Sequence, residues 1–153
     1  MGRKRVFVTG MGVFCPLGSE IKEFWNNLSH GKSGVHHITK FDPTPSLTRV
    51  AGVIQNYDPK SYFSPREQRS CEAFVQYGLL AAREAIAQSE ITGPDLPKCA
   101  VVVGTGIGGI VSYKPAYDAL YLPEKSRKIN AFTIPKMMNL SLIHISEPTR
   151  PSV

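Results

Sequence analysis

Two short apolar runs that each lead straight into glycines constrain this chain most. Val6-Phe7-Val8-Thr9 meets Gly10 and Gly12. Cys99-Ala100-Val101-Val102-Val103 meets Gly104-Thr105-Gly106-Ile107-Gly108-Gly109. Brief β-branched runs ended by glycine spell buried strands followed by sharp turns. After the first turn, Pro16 and Gly18 bend the chain, and Ser19 is a natural helix N-cap with Glu20 behind it. Ile21, Phe24, Trp25 and Leu28 then fall at i, i+3, i+4 and i+7, one apolar helical face, and Gly31 stops the helix. Strand, glycine turn and helix together open an α/β unit.

From Lys32 to Arg49 the chain reads as irregular, because Pro43 and Pro45 forbid a long helix. The adjacent pair His36-His37 falls in this stretch and reads as loop. Residues 50–54, VAGVI, read as extended. Ser64 and Pro65 suit an N-cap and first helical position, which predicts one helix from Pro65 to about Ser89. Val75, Leu79, Ala82 and Ile86 form its apolar stripe, beside a small-residue stripe of Gly78, Ala81 and Ala85. Such a wide, shallow face is expected to lie close against a sheet or another helix. Gly93-Pro94 ends the helix.

Gly104, Gly106 and Gly109 satisfy the dinucleotide fingerprint G-x-G-x-x-G after a strand. That fingerprint needs an acidic residue closing a second strand about 20 residues on. The nearest downstream acids, Asp118 and Glu124, sit in YKPAYDALYLPEKSR, which has no strand character. The glycines therefore read as turn and close-packing positions, and no cofactor is expected. Three cysteines, Cys15, Cys71 and Cys99, form no CxxC pair and fit a reducing compartment. Four histidines, His30, His36, His37 and His144, show no metal-ligand spacing, so no metal is expected. No apolar run approaches the roughly 18 residues of a membrane helix. The basic start Arg3-Lys4-Arg5 precedes too short an apolar run for a signal peptide. The expectation is a cytoplasmic chain that does not enter membranes. The net charge of +6 includes a second cluster at Lys125, Arg127 and Lys128. With no aromatic-basic interleaving, zinc-finger spacing or RNP-like stretch, it reads as solvated surface, not as a nucleic-acid footprint.

The last segment breaks the pattern. Residues 140–150, LSLIHISEPTR, match over 11 consecutive residues the in-frame translation of a transposase-adapter sequence used in preparing DNA libraries. Residues 140–153 are therefore expected to be a non-native tail, with the authentic sequence ending at Asn139.

Within residues 3–139 the motifs form a recognisable series. RVFVTGMGVFCPLG at 5–18, FWNNLSHGKSGV at 24–35, KFDP at 40–43 and AGVI at 51–54 come first. EAFVQYGLLAAREAI at 72–86, VVVGTGIGG at 101–109 and FTIPKMMN at 132–139 follow. In order and spacing the chain resembles the β-ketoacyl-acyl carrier protein synthases of the type II condensing class. Cys15 departs from the pattern, since the family often has Ser there. The resemblance implies an α/β, thiolase-like fold of layered helices and mixed sheets. Residues 1–139 would be its N-terminal part, less than one complete half.

The implied chemistry is a decarboxylating Claisen condensation. A cysteine thiolate takes an acyl group from acyl carrier protein as a thioester. Malonyl-carrier protein loses carbon dioxide, and the carbanion attacks that thioester. Two histidines stabilise the developing oxyanion. The resemblance places all three catalytic groups outside this chain, so it has no catalytic residue of its own. It implies secondary roles by position: Arg66 and Arg69, on one helix face, in docking the acidic carrier protein; Ile107 near the acyl pocket; Phe132 near a homodimer interface. Two alternatives remain open. One is a polyketide-type ketosynthase or its chain-length partner. The other is a non-catalytic carrier-binding module.

Overall fold

The computed structural model describes residues 3–91, 99–122 and 129–138. The proposed tail, the basic cluster at Lys125, Arg127 and Lys128, and Gly93-Pro94 lie outside them. Contacts divide the chain into two compact units, Met1–Tyr57 with Leu80–Glu90, and Asp58–Leu79 with Ile91–Val153.

In the first unit, α1 (Ile21–Ser29) sits where the apolar spacing predicts, and its end is fixed by local chemistry. Gly31 takes φ +66°. Its N–H bonds the Leu28 carbonyl at 3.0 Å, and the Lys32 N–H bonds the Asn27 carbonyl at 3.0 Å, a Schellman termination. The start differs from expectation. Glu20, not Ser19, occupies the N-cap position and makes no side-chain cap bond. Ser19 instead donates its N–H and hydroxyl to Glu23, at 2.8 and 3.1 Å.

β1 (Val35–His37) and β2 (Val50–Gly52) pair antiparallel, His36 facing Ala51. This corrects the loop reading of His36-His37: pairing with β2 supplies the backbone partners that local sequence does not announce. Pro16 packs against Gly34. Asn27 donates to the Leu17 carbonyl at 2.6 Å, which ties the turn to α1.

The expected helix from Pro65 to Ser89 is two helices, α2 (Pro65–Ser70) and α3 (Ala73–Ser89). The start is as expected. Ser64 caps α2, and a reciprocal bond from its N–H to Glu67 completes a capping box. The break falls at Cys71, whose φ −116° and ψ 127° are extended. There is no Gly or Pro to announce it. The Cys71 carbonyl accepts the Gln76 side-chain amide at 3.0 Å instead of a helical N–H, and the Cys71 side chain turns inward. The second unit holds the buried apolar residues Phe63, Cys71, Val75, Leu79 and Ala119. Val75 and Leu79 thus fill the apolar stripe as predicted, while Ile86 at the far end is exposed.

The small-residue stripe of α3 is closely packed, as expected, but against a glycine turn. A Cβ on Gly10 would overlap the Ala85 carbonyl oxygen, and one on Gly12 would overlap that of Ala81. Only glycine allows backbone to lie this near a helix.

Neither apolar run is a strand. Val6 is 93% exposed and Val102 is 94% exposed, and neither segment pairs with a β-strand among the described residues. Cys99 is likewise exposed rather than buried. A strand requires a neighbour to bond, and the described sheet is two-stranded. α4 (Ile110–Tyr121) was not predicted, and Pro115 inside it explains why. Its compensation is local. Tyr113, Tyr117 and Tyr121 stack at i, i+4, with the last two ring centroids 4.6 Å apart. Lys114 pairs Asp118 at 2.9 Å. The short α5 (Thr133–Met137) follows. No described helix is long and apolar enough to cross a membrane.

Candidate functional site

The second glycine loop is the most chemically organised feature of the second unit. Its two halves differ. Among the described residues nothing lies within 4 Å of the Cβ positions of Gly104 and Gly106, and Ile107 is 75% exposed. Gly108 and Gly109 are held. Gly108 adopts φ +73° and donates its N–H to the Thr105 hydroxyl at 3.2 Å. The Gly109 N–H bonds the Met137 carbonyl at 3.2 Å, joining the loop to α5. Side chains at either position would strike the Lys136–Met137 backbone.

The expected site residues fall as follows. Ile107 stands at the boundary between the open and held halves of the loop. Phe132 occupies the N-cap position of α5 and is half-exposed. The Gly109–Met137 bond therefore brings together the loop bearing Ile107 and the helix that Phe132 begins. Arg66 and Arg69 are exposed on α2, three apart, with Ser64 and Glu67 fixing the helix beneath them.

Two carboxylates with structural roles escape the sequence reading. Glu84 on α3 accepts the Val13 N–H at 2.9 Å and the Ile21 N–H at 2.8 Å. It supplies the start of α1 with the acceptor that its own N-cap lacks. In the second unit, Glu72 accepts the Ser112 N–H in the first turn of α4. For Glu72 the available signal is indirect: α4 is preceded by Gly109, which has no side chain to cap it.

Burial pushes the Cys71 thiol above its ordinary pKa, partly offset by a hydrogen bond with Ser70. The neutral thiol is the form present below that raised pKa. Iodoacetamide at neutral pH should leave Cys71 unmodified in the native protein and label it on denaturation. Alkylation should quicken as pH climbs toward the raised value and the thiolate forms. Peptide mass spectrometry would contradict this if native and denatured samples reacted equally fast.

The model of the beta-ketoacyl synthase N-terminal domain matches residues 3–146. A 3-oxoacyl-[acyl-carrier-protein] synthase 2 of Coxiella burnetii is 39% identical over 137 residues, covering 88% of this chain and 33% of that protein. The chain thus spans about a third of the curated relatives it matches. Among solved structures, a beta-ketoacyl synthase from Burkholderia phymatum STM815 superposes with TM-score 0.76 at 22% identity, covering 95% of this chain and 37% of that one. A type II polyketide synthase acyl-carrier protein in complex with its ketosynthase gives TM-score 0.69 at 21% identity, covering 94% and 38%. These likenesses give the fold, the thiolase-like α/β arrangement of ketosynthases. On the match across nearly its whole length, this chain belongs to the beta-ketoacyl synthase family.

Proposed function

We propose that this chain is the N-terminal third of an enzyme that elongates acyl chains by decarboxylating Claisen condensation with malonyl-acyl carrier protein. The observation supporting this is the 39% identity over 137 residues to a 3-oxoacyl-[acyl-carrier-protein] synthase 2. In this reading residues 1–139 are the authentic part and residues 140–153 are adapter-derived. The complete enzyme is a cytoplasmic homodimer with Phe132 near its interface, Ile107 lies by the acyl pocket, and acyl carrier protein is its partner. No cofactor, metal, nucleic acid or membrane enters this reading. Sequencing the source DNA beyond codon 139 tests it: a continuing frame with the nucleophilic cysteine and two histidines supports it. A genuine stop codon there would favour a carrier-binding module instead.

A polyketide-type role has two structural likenesses in its favour, to a ketosynthase/chain length factor at TM-score 0.74 and to the type II polyketide ketosynthase at TM-score 0.69. Product analysis separates the two. A single condensation per carrier-bound acyl chain indicates the synthase, and successive unreduced condensations indicate the polyketide enzyme.

Arg66 and Arg69 are the proposed carrier-docking pair. An exposed charge contact is worth at most about 1 kcal/mol, yet two on one face steer encounter with an acidic partner. In the full-length enzyme carrying this N-terminal sequence, Arg66→Glu with Arg69→Glu should raise KM for carrier-bound substrate several-fold at low salt. Reaction with small carrier-free thioesters should be unchanged. Equal losses with both substrates would assign the arginines to fold or pocket, and an unchanged KM would remove them from docking.

A further inference from the structure

We infer that Glu72 is the positioning residue of the Gly104–Gly109 loop, acting through the first turn of α4. α4 begins without a cap: Gly109 at its N-cap has no side chain, and its first turn holds no acid. The first N–H groups of a helix have no partner within it. Glu72, 40 residues earlier, accepts the Ser112 N–H, which it shares with the Gly109 carbonyl at 3.2 Å. Its second oxygen abuts Gly109, where a Cβ would lie 2.8 Å from it. A charged acceptor at a helix N-terminus is favoured by the helix dipole as well as by the hydrogen bond.

Glu72 is itself held on both sides. The Cys71 N–H closes α2 on the Glu67 carbonyl at 2.8 Å, and the Glu72 carbonyl accepts the Gln76 N–H at 3.1 Å as α3 begins. The carboxylate is therefore aimed by two helix ends rather than by a free loop. Together with the Gly109–Met137 bond, it fixes the C-terminal end of the glycine loop, while among the described residues the other end makes no comparable contact at Gly104 or Gly106. Ile107 is the first residue beyond the fixed end, so its placement follows from where Glu72 holds α4. The consequence for acyl-chain selection rests on the proposed function, in which Ile107 lies by the acyl pocket.

The test uses two nearly isosteric changes in the full-length enzyme carrying this N-terminal sequence. Glu72→Gln keeps a side-chain acceptor for the Ser112 N–H, and Glu72→Met leaves it only the Gly109 carbonyl at 3.2 Å. Hydrogen exchange followed by mass spectrometry over residues 104–113 should quicken about tenfold in the methionine variant, the loss expected for one charge-assisted bond. The glutamine variant should stay near wild type. The spread of carrier-bound acyl lengths accepted should change with the methionine variant and be restored by glutamine. Unchanged exchange in the methionine variant, or equal acceleration in both, overturns the positioning role. Accelerated exchange with an unchanged acyl-length profile supports that role and overturns the placement of Ile107 by the pocket.

Discussion

In isolation, the 153-residue chain should bind a hydrophobic dye strongly and aggregate instead of melting as one cooperative unit. A self-contained domain of this length buries about 68–70% of the surface its unfolded chain exposes. Among the described residues the buried apolar set is five, Phe63, Cys71, Val75, Leu79 and Ala119. Phe7, Val8, Val102, Val111 and Trp25 are among the many large apolar side chains left in water. The described sheet has two strands, so each presents an unpaired edge. Exposed apolar patches and open edges are the two features that drive association. The net charge of +6 opposes it by repulsion. Added salt screens that repulsion within about 8–10 Å, so turbidity should rise from low to physiological ionic strength. Size-exclusion chromatography and scanning calorimetry decide the matter. A monodisperse monomer with a sharp transition would show that the chain is complete in its packing.

The same uncovered surface explains what was legible in the sequence. Elements closed by their own neighbours could be read directly. The Ser64–Pro65 start of α2 and the Gly31 end of α1 depend on bonds within a few residues, and both stand where local chemistry puts them. The small stripe at Ala81 and Ala85 announced a close approach, and Gly10 and Gly12 make it. Elements defined by distant partners could not be read locally. The runs at Val6–Thr9 and Val101–Val103 have strand composition but no β partner among the described residues, so composition alone misjudged their burial. The break at Cys71 depends on Gln76 reaching back to a carbonyl, which no propensity scale marks. Glu72 and Glu84 look like ordinary helix-surface acids, and only the tertiary fold aims them at helix starts 40 and 63 residues away in sequence. For the candidate site, the motif series pointed to the glycine loop that carries Ile107, while the Glu72 carboxylate beside that loop was invisible because its partner is a backbone N–H.

Given acyl- and malonyl-carrier protein, the 153-residue chain should form no 3-oxoacyl product above the buffer control. The proposed condensation needs a cysteine that is a thiolate near neutral pH, which requires a helix N-terminus, a cation or a histidine to lower its pKa. Cys71 is displaced the other way, since burial raises its pKa and keeps the thiol protonated. Cys15 is half-buried in a tight turn, closed by reciprocal backbone bonds with Gly18 at 2.9 and 3.1 Å. The histidines among the described residues are also engaged elsewhere or divided. His30 Nδ1 lies 2.7 Å from the Asn26 carbonyl at the end of α1. His36 and His37 are successive strand residues and point to opposite faces, so they cannot converge on one oxyanion. Without a covalent acyl carrier and paired donors, the two effects that divide and stabilise the reaction are both missing, and the expected loss is complete rather than partial. Intact-protein mass spectrometry after incubation with acyl-carrier protein is the direct measurement. A stoichiometric acyl adduct on Cys15, Cys71 or Cys99, together with product formation abolished by changing that cysteine to serine, would place a working nucleophile within these residues. The motif-based assignment of the chemistry to a later part of the enzyme would then have to be abandoned.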